Sequence, residues 1–535
     1  MNFPKPLLEY FPTGYKPRPQ QTKGLLQIEE AIAKGTKVIV IEAPTGSGKS
    51  FISKTLGNAA NEAHPEYRNM VFNYHAYDKD IGSSLSRFPA HGCFALTTTK
   101  ALQNQYKTLF NDAAVFKGKT NYQCDVDPDV TVDQAPCLLS PNLKRQCWDE
   151  HRCPYYEARN DALIERFTVL NYASFFNLPE HLKKRQIIVA DECSELEEEI
   201  VKFYSADVIY KRLAQAEISF SKLTTEEPKL ALGWVVDLAE SAKLAIDTHT
   251  GRGKFENTKV ELHKQQYRRE LYEALTTIIA NWDNTQYIIE KDGDKATFTP
   301  LKIDRLAHCL LDYAGTIILM SATIVDKDAF TRTFGITNFE YIEFDTTFDP
   351  KKSPIYCSTK HPLNYRLMEK NLPPVIKMAK TIAESHKHEK GIIHTHSFLI
   401  TNALAKELTG KRYLFREEGS TNENIVAEHG LREDDTVLVS PSLSMGLDLN
   451  GDLGKWQIIM KMPYPGLGSK RVKKMADMDS NWYRMKMFIA LIQASGRCTR
   501  SEEDTAVTYI LDGSSAKAII DNKHILPKHF IDRLV

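Results

Sequence analysis

The chain has 535 residues and a mass of 60.9 kDa, room for roughly three or four domains of ordinary size. Apolar residues make up 42% and charged residues 26%, with 26 glycines and 24 prolines, which fits a globular chain and excludes collagen-like or low-complexity sequence. Lys plus Arg equals Asp plus Glu at 69 each, so net charge gives no argument for nucleic acid, and any nucleic-acid surface has to be local.

No apolar run reaches the length of a membrane span. Residues 1–19 are proline-rich without an apolar core, so no signal peptide is expected there. Nine cysteines are an odd and modest number, and a reducing compartment is expected. There is no internal repeat and no long linker.

Val38-Ile39-Val40-Ile41 is the first short β-branched run, and it leads into Ala43-Pro44-Thr45-Gly46-Ser47-Gly48-Lys49-Ser50 and a helical stretch. Strand, glycine loop, helix and Lys-Ser together form a phosphate-binding loop. Gly46 and Gly48 let backbone N–H groups close around phosphate oxygens, with Thr45 and Ser47 between and beside them. The helix N-terminus favours negative charge. Lys49 is placed to neutralise β- and γ-phosphates and Ser50 to hold Mg²⁺.

Cys124, Cys137, Cys147 and Cys153 follow, with 12, 9 and 5 residues between them. Zinc sites usually offer closer pairs, so zinc is not favoured by spacing. A [4Fe–4S] cluster and free buried thiols both remain open. Lys117, Lys119, Lys144, Arg145 and Arg152 are interleaved with Tyr122, Trp148, Tyr155 and Tyr156, a composition suited to a single-strand contact, although the aromatics are expected to be core.

Ile187-Ile188-Val189-Ala190 ends in Asp191-Glu192-Cys193-Ser194. Asp191 at a strand end can reach Mg²⁺, and Glu192 can orient and deprotonate an attacking water. Residues 201–290 read as helical, with apolar faces at Leu230, Trp234, Val235 and Leu238 and at Tyr267, Leu271, Leu275 and Ile278. Asp292-Gly293 between two strand-like runs predicts a hairpin. Thr316-Ile317-Ile318-Leu319-Met320 ends in Ser321-Ala322-Thr323. Further runs at Gly391-Ile392-Ile393, Thr436-Val437-Leu438-Val439 and Gln457-Ile458-Ile459-Met460 continue the series.

Fully apolar short strands alternating with helices predict an α/β protein with two parallel-sheet domains, one before about residue 340 and one after about 355, with ligands at the carboxyl ends of the strands. Gly446 and Asp448 lie in a loop after one of these strands, suited to close approach to a phosphate or backbone. Gln493, Arg497 and Arg500 lie in the helical stretch after the last strong strand. An arginine there can cross a cleft to a transferring phosphoryl group.

In this order the elements resemble the XPD/DinG family of iron–sulfur superfamily 2 helicases, over nearly the whole chain. Arg18-Pro19-Gln20-Gln21 resembles the family's R-P-x-Q element, residues 43–50 its motif I, and Thr97-Thr98-Thr99-Lys100 its motif Ia. Lys117-Gly118-Lys119-Thr120-Asn121-Tyr122-Gln123-Cys124 and Cys153-Pro154-Tyr155-Tyr156 resemble the flanks of its cluster. Asp191 to Ser194, Ser321-Ala322-Thr323, His394-Thr395-His396-Ser397, residues 440–448 and residues 493–500 resemble motifs II to VI.

The resemblance implies two RecA-like domains, the first (1–110, 166–200 and 291–344) interrupted by an iron–sulfur domain (111–165) and a helical arch (201–290), the second covering 345–535. It implies ATP bound between them through Arg18, Gln21, residues 45–50, Gly446 and Asp448, with Mg²⁺ on Ser50 and Asp191. Lys49, Asp191, Glu192, Gln493, Arg497 and Arg500 would be catalytic, and Cys124, Cys137, Cys147 and Cys153 would hold a [4Fe–4S] cluster.

The implied partners are single-stranded DNA and tailed duplex DNA, unwound 5′→3′ by a monomer with no membrane attachment. The implied setting is repair or replication in the cytoplasm of a bacterial, archaeal or phage-infected cell, or in a nucleus. Three positions depart from the family pattern: Ser194 replaces His, Met445 stands where Glu is common, and Asp512-Gly513 lacks a following basic residue. Alternative expectations are a DNA-stimulated translocase that remodels nucleoprotein and unwinds weakly, and a redox-gated DNA-binding protein.

Overall fold

The computed structural model describes residues 3–72, 84–151, 153–250, 258–441, 451–499 and 502–535. Its two large sheets are wholly parallel. The first has seven strands: β1 (Val38–Glu42), β2 (Cys93–Thr97), β3 (Ala114–Phe116), β4 (Phe167–Asn171), β5 (Arg185–Asp191), β9 (Ala314–Ser321) and β10 (Glu340–Glu343), in the order β10-β1-β9-β5-β2-β4-β3.

The apolar runs are continuous rather than alternating because both faces of this sheet are covered. Val38, Val40, Phe94, Leu96, Ile188, Ile317 and Leu319 enter the core on one face. Their neighbours Ile39, Ile41, Cys93, Ala95, Ile187, Val189, Ile318 and Met320 enter the core on the other. Each such aliphatic side chain, once buried, contributes about 1.5–3 kcal/mol. The register sets Glu42 beside Ser321 and Asp191 beside Met320, so three polar strand ends lie at one edge.

The second sheet has six strands: β11 (Ile355–Cys357), β12 (Gly391–His394), β13 (Tyr413–Phe415), β14 (Val437–Ser440), β15 (Trp456–Ile459) and β16 (Val507–Ile510), in the order β11-β16-β15-β12-β14-β13. The six strand-like runs predicted from sequence all fall in these two sheets. Gly391 opens β12 beneath the Trp456 indole, where a Cβ would lie 2.1 Å from a ring carbon.

Two segments interrupt the first sheet. The cysteine segment lies between β3 and β4, built from 3₁₀ turns and the helices Pro141–His151 and Pro154–Ile164. Its own small core is Cys124, Val130 and Ala135, with Cys137 against them. Tyr155 packs between Tyr122 and Tyr156 at 5.8 and 5.3 Å; all three rings are half-buried, and Tyr155 packs against the core of the first sheet. The Trp148 side chain and Arg152 lie outside the described residues.

The second segment lies between β5 and β9. It begins with the helix following β5 and contains two long helices and a three-stranded antiparallel sheet, β6 (Ala206–Ile209), β7 (Tyr287–Lys291) and β8 (Lys295–Pro300), ordered β6-β8-β7. The hairpin predicted around Asp292-Gly293 is β7–β8. Its pairing with β6 carries the arch segment to Pro300, beyond the boundary at 290 expected from the change in periodicity.

The helices that position the sites are α1 (Lys49–Ala59), α2 (Leu196–Phe203), the arch helices α3 (Pro228–His249) and α4 (Thr258–Ala280), and α5 (Lys470–Met478) and α6 (Ser480–Ser495) beside the second sheet. Glu227 caps α3 by accepting from the Lys229 and Leu230 N–H groups, with Pro228 at the first helical position. No helix among the described residues is long and apolar enough to cross a membrane.

Candidate nucleotide cleft and thiol cavity

β1 delivers the glycine loop to the strand-end edge. Gly46 and Gly48 take φ of +78° and +82°, and Gly48 is the N-cap of α1. A side chain at Gly48 would be strained by that φ, and its Cβ would meet the Gln21 amide nitrogen at 2.1 Å. The loop is held from outside. Arg18 Nη1 donates to the Gly46 carbonyl at 2.7 Å, and Gln21 Nε2 donates to the Ser47 and Gly48 carbonyls at 3.1 and 3.3 Å. The Arg18 N–H in turn donates to Gln21 Oε1 at 2.8 Å.

These bonds occupy the loop's carbonyls. Arg18 also lines the cavity of about 580 Å³ formed by Gly46, Gly48, Lys49, Ser50, Asp191 and Glu192. That size falls in the ordinary range for a ligand pocket. Gln21 is buried behind the loop and acts on its shape.

Asp191 is 4% exposed. Its carboxylate accepts from Tyr106 Oη at 3.1 Å and from the Glu192 N–H at 3.0 Å. Burial, and then the adjacent Glu192 charge, hold the Asp191 carboxyl above the usual aspartate range, against the pull of Lys49. A divalent cation is the kind of group that would relieve this charge crowding. Glu192 has φ +54°, an uncommon conformation for a residue with a side chain. Its carboxylate lies 3.4 Å from Lys49 Nζ and accepts from Ser321 Oγ at 3.4 Å.

Ser321 Oγ also reaches Ser194 Oγ at 3.0 Å, and Gln493 Nε2 donates to Ser194 Oγ at 3.2 Å. A continuous line of contacts therefore runs from the phosphate-binding loop to α6. Ser194, one of the departures from the family pattern, bridges the two domains with its hydroxyl. Arg497 lines the adjoining cavity of about 140 Å³, shared with Pro44, Thr45, Glu192 and Gln493. Arg500, Gly446, Asp448 and Met445 lie outside the described residues.

Several residues of this site were not singled out from the sequence. Glu42 is buried at the end of β1 and accepts from the Ile324 and Val325 N–H groups at 2.7 and 3.3 Å and from Tyr341 Oη. It thereby ties motif I to the loop after Ser321, and burial raises its carboxyl above the usual glutamate range. An acid closing an otherwise apolar strand was the available signal.

Glu197 is 2% exposed on α2 and collects Arg471 Nη2 at 2.6 Å, Lys486 Nζ at 2.8 Å and Trp482 Nε1 at 2.9 Å, all from α5 and α6. Burial alone would raise its carboxyl, but the two cations prevail and hold it at about 2. Arg471 Nε also donates to the Pro300 carbonyl at 3.0 Å. Arg533 lines the 140 Å³ cavity and ties down the end of α6 by donating to the Ser495 carbonyl at 2.9 Å.

The four clustered cysteines meet in a second cavity, of about 150 Å³. Lys119, Lys144, Asp125 and Arg269 line it with them. Burial and then the neighbouring cysteines push the Cys147 thiol up to about 12, and Cys137 and Cys153 are raised mainly by burial. The remaining five cysteines lie elsewhere. Cys193 and Cys498 are fully buried with raised thiols, which makes them poor targets for oxidation despite their place beside the nucleotide cleft. Among the described residues, no three His, Cys, Asp or Glu side chains are gathered closely enough to hold one metal ion.

Residues 381–529 match the helicase C-terminal domain family. No curated protein matches the sequence of the chain. An XPD helicase structure is similar over 95% of this chain and 98% of its own, with TM-score 0.62 and 14% identity. Xpd4 of S. tokodaii is similar over 97% and 100%, with TM-score 0.56 and 13% identity. An apo XPD structure is similar over 92% and 96%, with TM-score 0.54 and 14% identity. The chain thus has the two-domain fold of the XPD helicases, with a helicase C-terminal domain in its second half.

Proposed function

We propose that this protein is an ATP-driven DNA helicase that moves 5′→3′ on single-stranded DNA and opens tailed duplexes. The observation that carries the reading is the line of contacts from Lys49 through Glu192, Ser321 and Ser194 to Gln493, which joins the phosphate-binding loop to the second domain.

In this reading the N–H groups of residues 46–50 and Lys49 bind the β- and γ-phosphates. Ser50 and Asp191 hold Mg²⁺, which neutralises charge on the phosphate oxygens when bound. Glu192 orients the attacking water and takes its proton. Gln493 senses the cleft through Ser194, and Arg497 and Arg500 bring positive charge from the second domain to the phosphoryl group. Arg18 completes the nucleotide surroundings, Gln21 shapes the loop from behind, and the roles of Gly446 and Asp448 rest on the family resemblance. Hydrolysis removes the charge that holds the cleft closed, and the two domains then alternate their grip on DNA.

The domain limits expected from sequence frame this division of labour, with the arch extended to Pro300. The direction of movement, the monomeric state and a cytoplasmic or nuclear setting rest on the family resemblance.

The thiol cavity suits a [4Fe–4S] cluster better than one ion. A single zinc needs sulfurs about 2.3 Å from one point, whereas a four-iron cluster places its cysteines around a larger body. Cys124, Cys137, Cys147 and Cys153 would hold it, and it would rigidify a segment that has little core of its own.

The test is unwinding by anaerobically purified protein of matched duplexes with a 5′ or a 3′ tail. Opening of the 5′-tailed duplex alone is expected, and opening of the 3′-tailed duplex alone overturns the direction. If neither opens while single-stranded DNA still stimulates ATP hydrolysis, the protein is a translocase.

A further inference from the structure

The cysteine cavity is not built by one segment. Lys119, Asp125, Lys144 and the four cysteines belong to the cysteine segment, but Arg269 comes from α4 of the arch. Arg269 Nη2 donates to the Leu138 carbonyl at 2.9 Å, next to Cys137. Its Nε is shut from solvent and has no hydrogen-bond partner among the described residues. A neighbour on the same helix, Gln266, donates to Asp133 at 3.2 Å, so the arch is seated on the cysteine segment at this place.

Three cations and one carboxylate therefore line a small cavity together with the four thiols and Tyr156. With neutral thiols that arrangement is electrostatically costly, because like charges are crowded in a partly buried space. Four thiolates around an iron–sulfur core reverse the sign of the occupant. Arginine keeps its charge under all ordinary conditions, so it cannot relieve the crowding by losing a proton.

We propose that Arg269 is the arch's own contribution to the cluster site, a cation from a second domain that lies against an anionic [4Fe–4S] centre and links its charge to the seating of the arch. The inference rests on the cluster reading given above. It has two consequences. The positive charge favours the reduced, more negative state, so Arg269 raises the reduction potential, which net charge and nearby donors set in such centres. By linkage, the charge on the centre strengthens the contact between α4 and the turn Pro136–Leu138 by the same free energy.

The test uses the full chain purified anaerobically, as wild type, Arg269→Gln and Arg269→Lys, with iron content, visible absorption and the midpoint potential measured on each. In Arg269→Gln with full iron, the reduced-to-oxidised ratio at a fixed potential is expected to fall about tenfold, a 59 mV drop for a one-electron couple. Arg269→Lys is expected to stay near wild type. An unchanged midpoint in Arg269→Gln overturns the proposal. If Arg269→Gln loses its iron, Arg269→Lys decides: a wild-type midpoint supports a charge effect, and a midpoint shifted by the tenfold ratio or an equal loss of iron overturns it.

Hydrogen exchange along α4 is then compared before and after iron is removed from the wild type. Faster exchange without iron is expected, and indifference to iron overturns the link to the arch. Wild-type protein that holds no iron overturns the cluster reading itself, and the proposal with it.

Discussion

The nucleotide cleft and the thiol cavity are assembled in opposite ways. The cleft is built from strand ends fixed by a doubly covered sheet, and its polar groups already bond one another: Lys49 to Glu192, Ser321 to Ser194, Gln493 to Ser194. The thiol cavity hangs on 3₁₀ turns and short helices with a core of three buried residues. Its cations and thiols come from those turns and helices and, through Arg269, from α4. A site built on rigid elements can wait preformed for its ligand, whereas one built on turns depends on the ligand for order.

The largest expected effect tests the preformed side of this contrast. Lys49→Ala should lower ATP hydrolysis by about 10³-fold or more, since the charge at the phosphates is the main contribution the loop makes. The thermal unfolding profile should stay close to wild type, because the sheet does not depend on Lys49. Substantial residual turnover in a steady-state ATPase assay would sink the assignment.

A paired substitution tests the other side. Cys147→Ser should lose most of the bound iron and the associated visible absorption, and the cysteine segment should become readily cut by protease. Cys193→Ser, in a fully buried place away from the cavity, should keep its iron. Equal iron in both proteins would place the metal elsewhere.

Glu197 offers a third, intermediate test. Glu197→Ala leaves Arg471, Lys486 and the Trp482 N–H facing a buried void, and removing one partner of a buried ion pair costs about 3–5 kcal/mol. Calorimetry should show the loss as a lower unfolding temperature. The native carboxyl, held at about 2, lies below its unfolded value. Its stabilisation is therefore present above about pH 4.5 and is lost as pH falls toward 2. The wild type should lose this contribution on acidification, and Glu197→Ala should show a correspondingly shallower loss. Parallel pH curves would show that the ion cluster does not join the domains in solution.

The smallest effect is expected at Ser194. Ser194→Ala removes two hydroxyl contacts of about 1 kcal/mol each. DNA stimulation of ATP hydrolysis should fall about threefold to tenfold, with nucleotide affinity little changed. A drop in affinity instead would move Ser194 from the link between domains to the binding of nucleotide.

The sequence made the cleft more legible than the cavity for a physical reason. A strand buried on both faces writes a continuous apolar run, and its polar end is then conspicuous, as at Asp191 and Ser321. Glycines at positive φ mark the loop in the same way at Gly46 and Gly48. Glu42 escaped notice because its partners, Ile324, Val325 and Tyr341, are nearly 300 positions away in the chain. Glu197 escaped because an acidic helix start is usually solvated, and only the docking of α5 and α6 buries it. The cysteines were visible as a cluster, but nothing local in the sequence places Arg269 among them. The hairpin of β7 and β8 was legible from Asp292-Gly293, whereas its third strand, β6, is joined to it only through the fold.

The root of the arch has a mechanical consequence. The chain leaves the first sheet at the end of β5, where Asp191 and Glu192 stand, and returns through β8 to β9, which ends at Ser321. Arg471 grips this return at the Pro300 carbonyl and grips Glu197 on the departing side. A tilt of the arch that shifts Pro300 must therefore load the guanidinium that fastens the second domain. Movement of the arch thus has a short route, through one arginine and one glutamate, to the strand end that carries Asp191 and Glu192.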